Sequence, residues 1–127
     1  MGALMYGSSG VAIAFDDRAL AHLQVVIGSK LRRHEPFFFA WADGVEKGSG
    51  RSAIWIDEAI AIRFVYSNSV RPALNRDWVE LLGNSANSST GLLFTAEPGA
   101  PIPPAVVEIT PGPSARRNAS GNRTVPV

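Results

Sequence analysis

A chain of 127 residues with no cysteine and a formal net charge of +1 fits one domain and excludes disulfide staples, thiol catalysis and cysteine-ligated zinc. Its 12 Lys and Arg against 11 Asp and Glu lack the basic excess of a dedicated duplex-DNA binder. Prolines crowd into the region beyond Glu97, where no aromatic residue follows Phe94. Residues 1–97 are therefore expected to form a single folded α+β domain, and 98–127 a Pro-rich disordered C-terminal tail that cannot bury enough apolar surface to offset its ordering entropy.

Two short apolar runs, Ala3 to Tyr6 and Val11 to Phe15, flank Gly7-Ser8-Ser9-Gly10, a pattern that predicts a β-hairpin. Asp16-Asp17 offers a helix N-cap with negative charge at the positive end of the dipole. Leu20, Leu23, Ile27 and Leu31 then recur at helical spacing, widened by Val25 and Val26, which leaves Arg18, His22, Ser29 and Arg33 to face water. The helix should stop before Pro36. Phe37 to Ala42 and Ser52 to Ile56 read as strands joined by the polar loop Asp43 to Gly50. After the turn Asp57-Glu58-Ala59, Ile60 to Tyr66 alternates, with Ile60, Ile62, Phe64 and Tyr66 on one face and Arg63 on the other. Ser67 to Leu74 is a loop, and Asn75 caps a second helix carrying Trp78, Leu81 and Leu82, ended by Gly83 and the Asn/Ser-rich stretch to Thr90. Leu92 to Thr95 is a last short strand.

The expected order is ββαβββαβ: an antiparallel or mixed sheet of about six strands with both helices on one face, since short connections favour neighbours. The face turned away from the helices would carry Arg63 and, from the neighbouring strand, Arg51, Trp55 and Asp57. Such a face could stack bases, bury itself in a dimer, or be covered by the start of the tail.

Few residues have the spacing that chemistry requires. In Lys47-Gly48-Ser49-Gly50-Arg51 the lysine precedes the glycines and the loop runs into a strand, whereas a phosphate-binding P-loop ends in Gly-Lys-Ser/Thr and opens a helix. A ligase-type nucleophile would need Lys-x-Asp-Gly, and the aspartate is absent. His22 and His34 lie too far apart along one helix to share a metal by i, i+4 pairing. Asp16-Asp17 is explained as a cap and Asp57-Glu58 as a turn. No catalytic residue, metal site or cofactor is expected. Lys30, Arg32, Arg33 and His34 crowd the last turn of the first helix. Cations there favour the dipole and its free carbonyls, yet three exceed what capping needs and suit phosphate contact.

The sequence also resembles a family of small actinobacterial proteins with a domain of unknown function. The resemblance lies in Met1-Gly2, Tyr6-Gly7, Asp16 through Ile27, Lys30-Leu31-Arg32-Arg33, Gly48-Ser49-Gly50-Arg51 and Trp55. It continues in Arg71-Pro72-x-Leu74-Asn75-x-x-Trp78-Val79-Glu80, Gly91-Leu92 and Glu97-Pro98, so it covers most of 1–98 and none of the tail. Members often carry the automatic name ATP-dependent DNA ligase, which implies an association with nucleic acid. The resemblance supplies no active-site residues.

The reading that follows is a cytoplasmic, non-catalytic module without a membrane segment. Its expected partner is nucleic acid, held by Lys30, Arg32, Arg33 and Arg51 on phosphates with Trp55 stacking. The tail arginines Arg116 and Arg117 could add tethering, and binding that needs the tail would lie in Arg116, Arg117 and Arg123. The alternatives are a homodimer or protein-interaction module using the aromatic face, and a ligase-related protein in which Lys47 would become adenylated.

Overall fold

The computed structural model describes residues 1–43 and 50–99, together with the backbone of Ile109 and Thr110. Strands β1 (Gly2–Tyr6) and β2 (Val11–Phe15) form the expected hairpin, paired from Gly2↔Phe15 to Tyr6↔Val11. The period of two turns Leu4, Ile13 and Phe15 inward, where all three are buried. Helix α1 (Asp17–Arg32) begins where Asp16 Oδ1 accepts the Ala19 N–H at 2.8 Å. It ends in a Schellman closure: the Glu35 N–H donates to Lys30 O and the His34 N–H to Leu31 O, with His34 at φ 59°. Pro36 then keeps the chain extended.

Strands β3 (Phe37–Ala42) and β4 (Arg51–Ile56) pair antiparallel from Phe37↔Ile56 to Ala42↔Arg51. Strand β5 (Ile62–Val65), helix α2 (Arg76–Ala86), strand β6 (Leu92–Leu93) and the two-residue strand β7 (Ile109–Thr110) complete the described elements. The class is α+β and the first eight elements follow the expected order.

The strands do not share one sheet. One sheet runs β5-β1-β2-β7, antiparallel throughout, and the other β4-β3-β6, with β3 and β6 parallel. The division arises at residues 57–61. Ile60 N–H closes a turn on Asp57 O, but the chain does not return along β4. The Gly7 N–H takes Ala61 O at 2.9 Å, and β5 continues along β1. Arg63 therefore lies opposite Met5 in one sheet, while Arg51 and Trp55 belong to the other; the expectation that they share a face is corrected.

Both sheets bury their inner faces in one core. Phe15 stands at the joint, with ring centroids 5.9 Å from Phe39, 6.2 Å from Trp41 and 5.2 Å from Phe94. Truncating a buried aromatic such as this to alanine costs roughly 3–5 kcal/mol. Helix α1 packs on β1 and on α2, and α2 packs on β3 and β6. Two backbone approaches need glycine. A Cβ at Gly2 would lie 2.4 Å from Val65 O and 2.8 Å from Asp17 Oδ1, and one at Gly91 (φ 87°) would lie 2.4 Å from Phe38 O.

Two local expectations are corrected. Helix α2 runs through Gly83, because Trp78, Leu82 and Ala86 recur at i, i+4, i+8 and all bury against the core. His22 is fully buried instead of facing water, because the side of α1 that carries it meets α2, with the His22 and Trp78 rings 4.5 Å apart.

Candidate functional site

The last turn of α1 does not present its cations together. Lys30 is 8% exposed and donates to Glu35 Oε1 at 3.0 Å and Asn87 Oδ1 at 3.1 Å. Its ammonium also lies 5.8 Å from the centre of the Phe37 ring, within cation–π range. Arg33 reaches the same two acceptors, Glu35 at 3.3 Å and Asn87 at 3.4 Å. The hydrogen bond from Lys30, with the charge of Arg33, holds the Glu35 carboxyl below the usual glutamate value. His34 turns to Glu58, with Nδ1 2.7 Å from Oε2. Arg32 makes no hydrogen bond or ion pair among the described residues and points instead to a groove beside α1.

Arg51 and Trp55 stand on the outer face of the three-stranded sheet, apart from the helix end. Alternation that sends Phe37, Phe39 and Trp41 inward sends Phe38 outward. There Phe38 meets Trp55 across the strands, edge to face at 4.9 Å. Phe38 is 53% exposed, Trp55 41% and Leu93 51%. The five residues expected to grip nucleic acid thus fall into three places: Lys30 and Arg33 around Glu35, Arg32 at the groove, and Arg51 with Trp55 on the sheet. Lys47 lies outside the described residues, as do Arg116, Arg117 and Arg123.

The groove was not foreseen. It opens between α1 and β5, with a volume of about 930 Å³. Val25, Gly28 and Leu31 form the helix wall, and Ile62 and Phe64 the strand wall. Residues 68–74 close one end with exposed Val70 and Leu74. Arg32 and Arg71 border it, and among the described residues no Asp or Glu lines it. The Tyr66 hydroxyl bridges the walls by donating to Gln24 Oε1 at 2.5 Å; burial, aided by nearby Asp17, pushes this phenol above its usual range. The alternation Ile62-Phe64-Tyr66 was visible in sequence, but the place of the strand beside α1 was not.

A fourth cluster joins Arg18, His22, Asn75 and Glu97. Arg18 holds Glu97 by a bidentate pair at 2.8 and 2.7 Å and donates to Ala73 O at 2.6 Å. Asn75 Nδ2 donates to Glu97 Oε2 at 2.8 Å while its Oδ1 caps α2. The Asn75 N–H can only donate, so His22 Nε2 accepts it, at 2.7 Å, and Nδ1–H donates to Arg18 O at 2.7 Å. Both ring nitrogens of His22 are thus engaged by backbone groups. Arg18, then Asn75, pull the Glu97 carboxyl down to about 2 by hydrogen bonding. Among the described residues no three His, Asp or Glu side chains come together as metal ligands, and no helix is long and apolar enough to cross a membrane.

Residues 1–97 match the family described as Domain of unknown function (DUF7882). The chain belongs to this family. The match ends on Glu97, the residue by which the Arg18 clasp ties the last segment of the DUF7882 domain to the starts of both helices. No curated protein and no solved structure matches the chain. The DUF7882 domain thus offers two unsatisfied surfaces among its described residues, the α1–β5 groove and the Phe38–Trp55–Leu93 sheet face.

Proposed function

We propose that this DUF7882 domain is a non-catalytic binding module whose working surface is the groove between α1 and β5. The observation that carries the reading is an open apolar cleft bordered by Arg32 and Arg71 and, among the described residues, lined by no carboxylate. A concave, mostly apolar surface with a few convergent polar groups is the form binding sites take. The other polar clusters are consumed within the domain: Lys30 and Arg33 by Glu35, His22 by backbone, and Glu97 by Arg18. The test is a photo-crosslinking amino acid placed in the native host at Val25 in the groove, at Phe38 on the sheet face, and at exposed Glu80 as a control. Adducts from position 25 that disappear on Arg32→Glu support the groove. Adducts from position 38 alone move the working surface to the sheet, and none at either site ends the binding reading.

A second reading is favoured by the exposed Phe38–Trp55 pair beside Arg51, which forms a platform for bases or for a second copy. In its nucleic-acid form Arg51 supplies the phosphate contact, since Lys30 and Arg33 already share Glu35. Quenching of Trp55 fluorescence by single-stranded DNA supports that form. A solution mass of twice the chain, lost on Trp55→Ala, supports self-association. A ligase-related role rests on the resemblance alone, and its test is a radiolabelled adenylyl adduct on Lys47.

A further inference from the structure

We propose that the groove receives an extended, acidic and apolar segment of a partner protein, which adds to the free edge of β5 as a fifth strand. This rests on the groove reading and specifies the occupant.

β5 ends its sheet, and no described strand pairs with its outer edge. In an antiparallel ladder the residues alternate between those bonded to the neighbour and those whose N–H and C=O point away. The Gly7 N–H donates to Ala61 O one position beyond the Tyr6↔Ile62 pair. Ala61, Arg63 and Val65 therefore bond to β1, which leaves the backbone groups of Ile62 and Phe64 on the open edge. These are the residues whose side chains wall the groove. A strand laid along that edge makes main-chain bonds to Ile62 and Phe64. Every second side chain of the strand is then directed toward Val25 and Leu31. Strand addition of this kind draws affinity from the backbone and specificity from alternate side chains.

Charge selects the occupant. Arg32 and Arg71 border the groove with no carboxylate among the described residues to answer them, and Arg63 is exposed on the opposite face of the edge strand. A cation on a short edge strand discourages indiscriminate pairing. It repels a second β5, which would bring the same arginine, and it favours an acidic strand. Residues 111–127 of this chain carry Arg116, Arg117 and Arg123 and no Asp or Glu. They also follow β7, at the opposite edge of the same sheet. Neither a second copy nor that segment fits as well as an acidic partner.

The experiment selects binders to the full chain from a random twelve-residue peptide library, then measures the strongest peptide against full-chain variants. The expected peptides alternate apolar residues with Asp or Glu. Arg32→Glu and Arg71→Glu, both at exposed positions, each weaken binding by about tenfold, while Arg51→Glu leaves it unchanged. The Ile62 and Phe64 amides gain hydrogen-exchange protection on binding, which a ligand held only by side chains does not give. Peptides that are basic, or whose apolar residues recur at helical spacing, overturn the proposal. Binding that responds to Arg32→Glu without protecting those amides leaves the groove reading standing and removes strand addition. Binding lost on Trp55→Ala but indifferent to Arg32→Glu removes both, as does a library that yields no binder.

Discussion

His34 occupies the left-handed region at φ 59° because the Schellman closure of α1 needs such a residue one position past its cap. A non-glycine side chain there is strained by roughly 1–2 kcal/mol. His34→Gly should therefore raise the stability of the chain by about 0.5–1 kcal/mol, after the entropy glycine loses on folding, as read from urea midpoints. His34→Ala keeps the strain and loses only the exposed contact to Glu58, so it should leave stability unchanged or slightly lower. A stabilising His34→Ala would show that the Glu58 contact, and not the backbone, is the unfavourable element. His22 makes the opposite case. His22→Phe retains a ring against Trp78 but strands the part-buried Asn75 N–H, whereas the Arg18 carbonyl keeps its helical bond to the backbone N–H of residue 22. That unmet donor costs about 1–3 kcal/mol, so a loss of this order is expected by the same measurement. The cap at Asp16 and the cations of the last turn were legible because they depend on neighbours in sequence. The burial of His22 was not, because it depends on where α2 docks.

Individual strands could be read from alternation, and β2 and β3 fall where the pattern put them. The pairing of β5 with β1 could not, since its partner lies more than fifty residues away, and the Ala61–Gly7 bond continues that ladder where the chain leaves β4. The same missing information hid the groove, which exists because β5 stands beside α1. Elements far apart in sequence are tied by the Arg18–Glu97–Asn75 clasp, and this tie should be visible in acid. Glu97 titrates near 2 in the folded domain against an ordinary value of 4.5. A depressed carboxyl contributes stability that is present above about 4.5 and is lost as the pH falls toward about 2. Urea midpoints of the native chain should decline across that window, and Glu97→Gln should flatten the decline. Some slope should persist, because hydrogen bonds from Ser67 to Asp17 and from Lys30 to Glu35 depress those carboxyls as well. An unchanged slope in Glu97→Gln would mean that the clasp does not govern acid stability.

Across the whole molecule, charge is distributed so that the domain neutralises itself. Of the cations that seemed to form a phosphate site, Lys30 and Arg33 converge on Glu35, and Arg32 and Arg51 stand on different elements. A nucleic-acid site needs several cations along one backbone track. In sequence the cluster looked dense because Lys30, Arg32, Arg33 and His34 fall within five residues, whereas closeness along a helix spreads side chains around its circumference. Arg116, Arg117 and Arg123 follow the DUF7882 match, with Glu108 the one carboxylate in the sequence beyond it. Any affinity of the full chain for single-stranded DNA should therefore come from these three. Its logarithmic dependence on salt should then have a slope of about −2, given roughly 0.7 counterions released per phosphate contact. Replacing the three with alanine should abolish binding, and Lys30→Ala or Arg33→Ala should leave the slope unchanged. The opposite pattern, a slope that survives the triple replacement and falls with Arg32→Ala or Arg51→Ala, would place phosphates on the folded domain. It would then favour the nucleic-acid reading over the groove, since the cations that border or neighbour the two surfaces would have been shown to act on DNA.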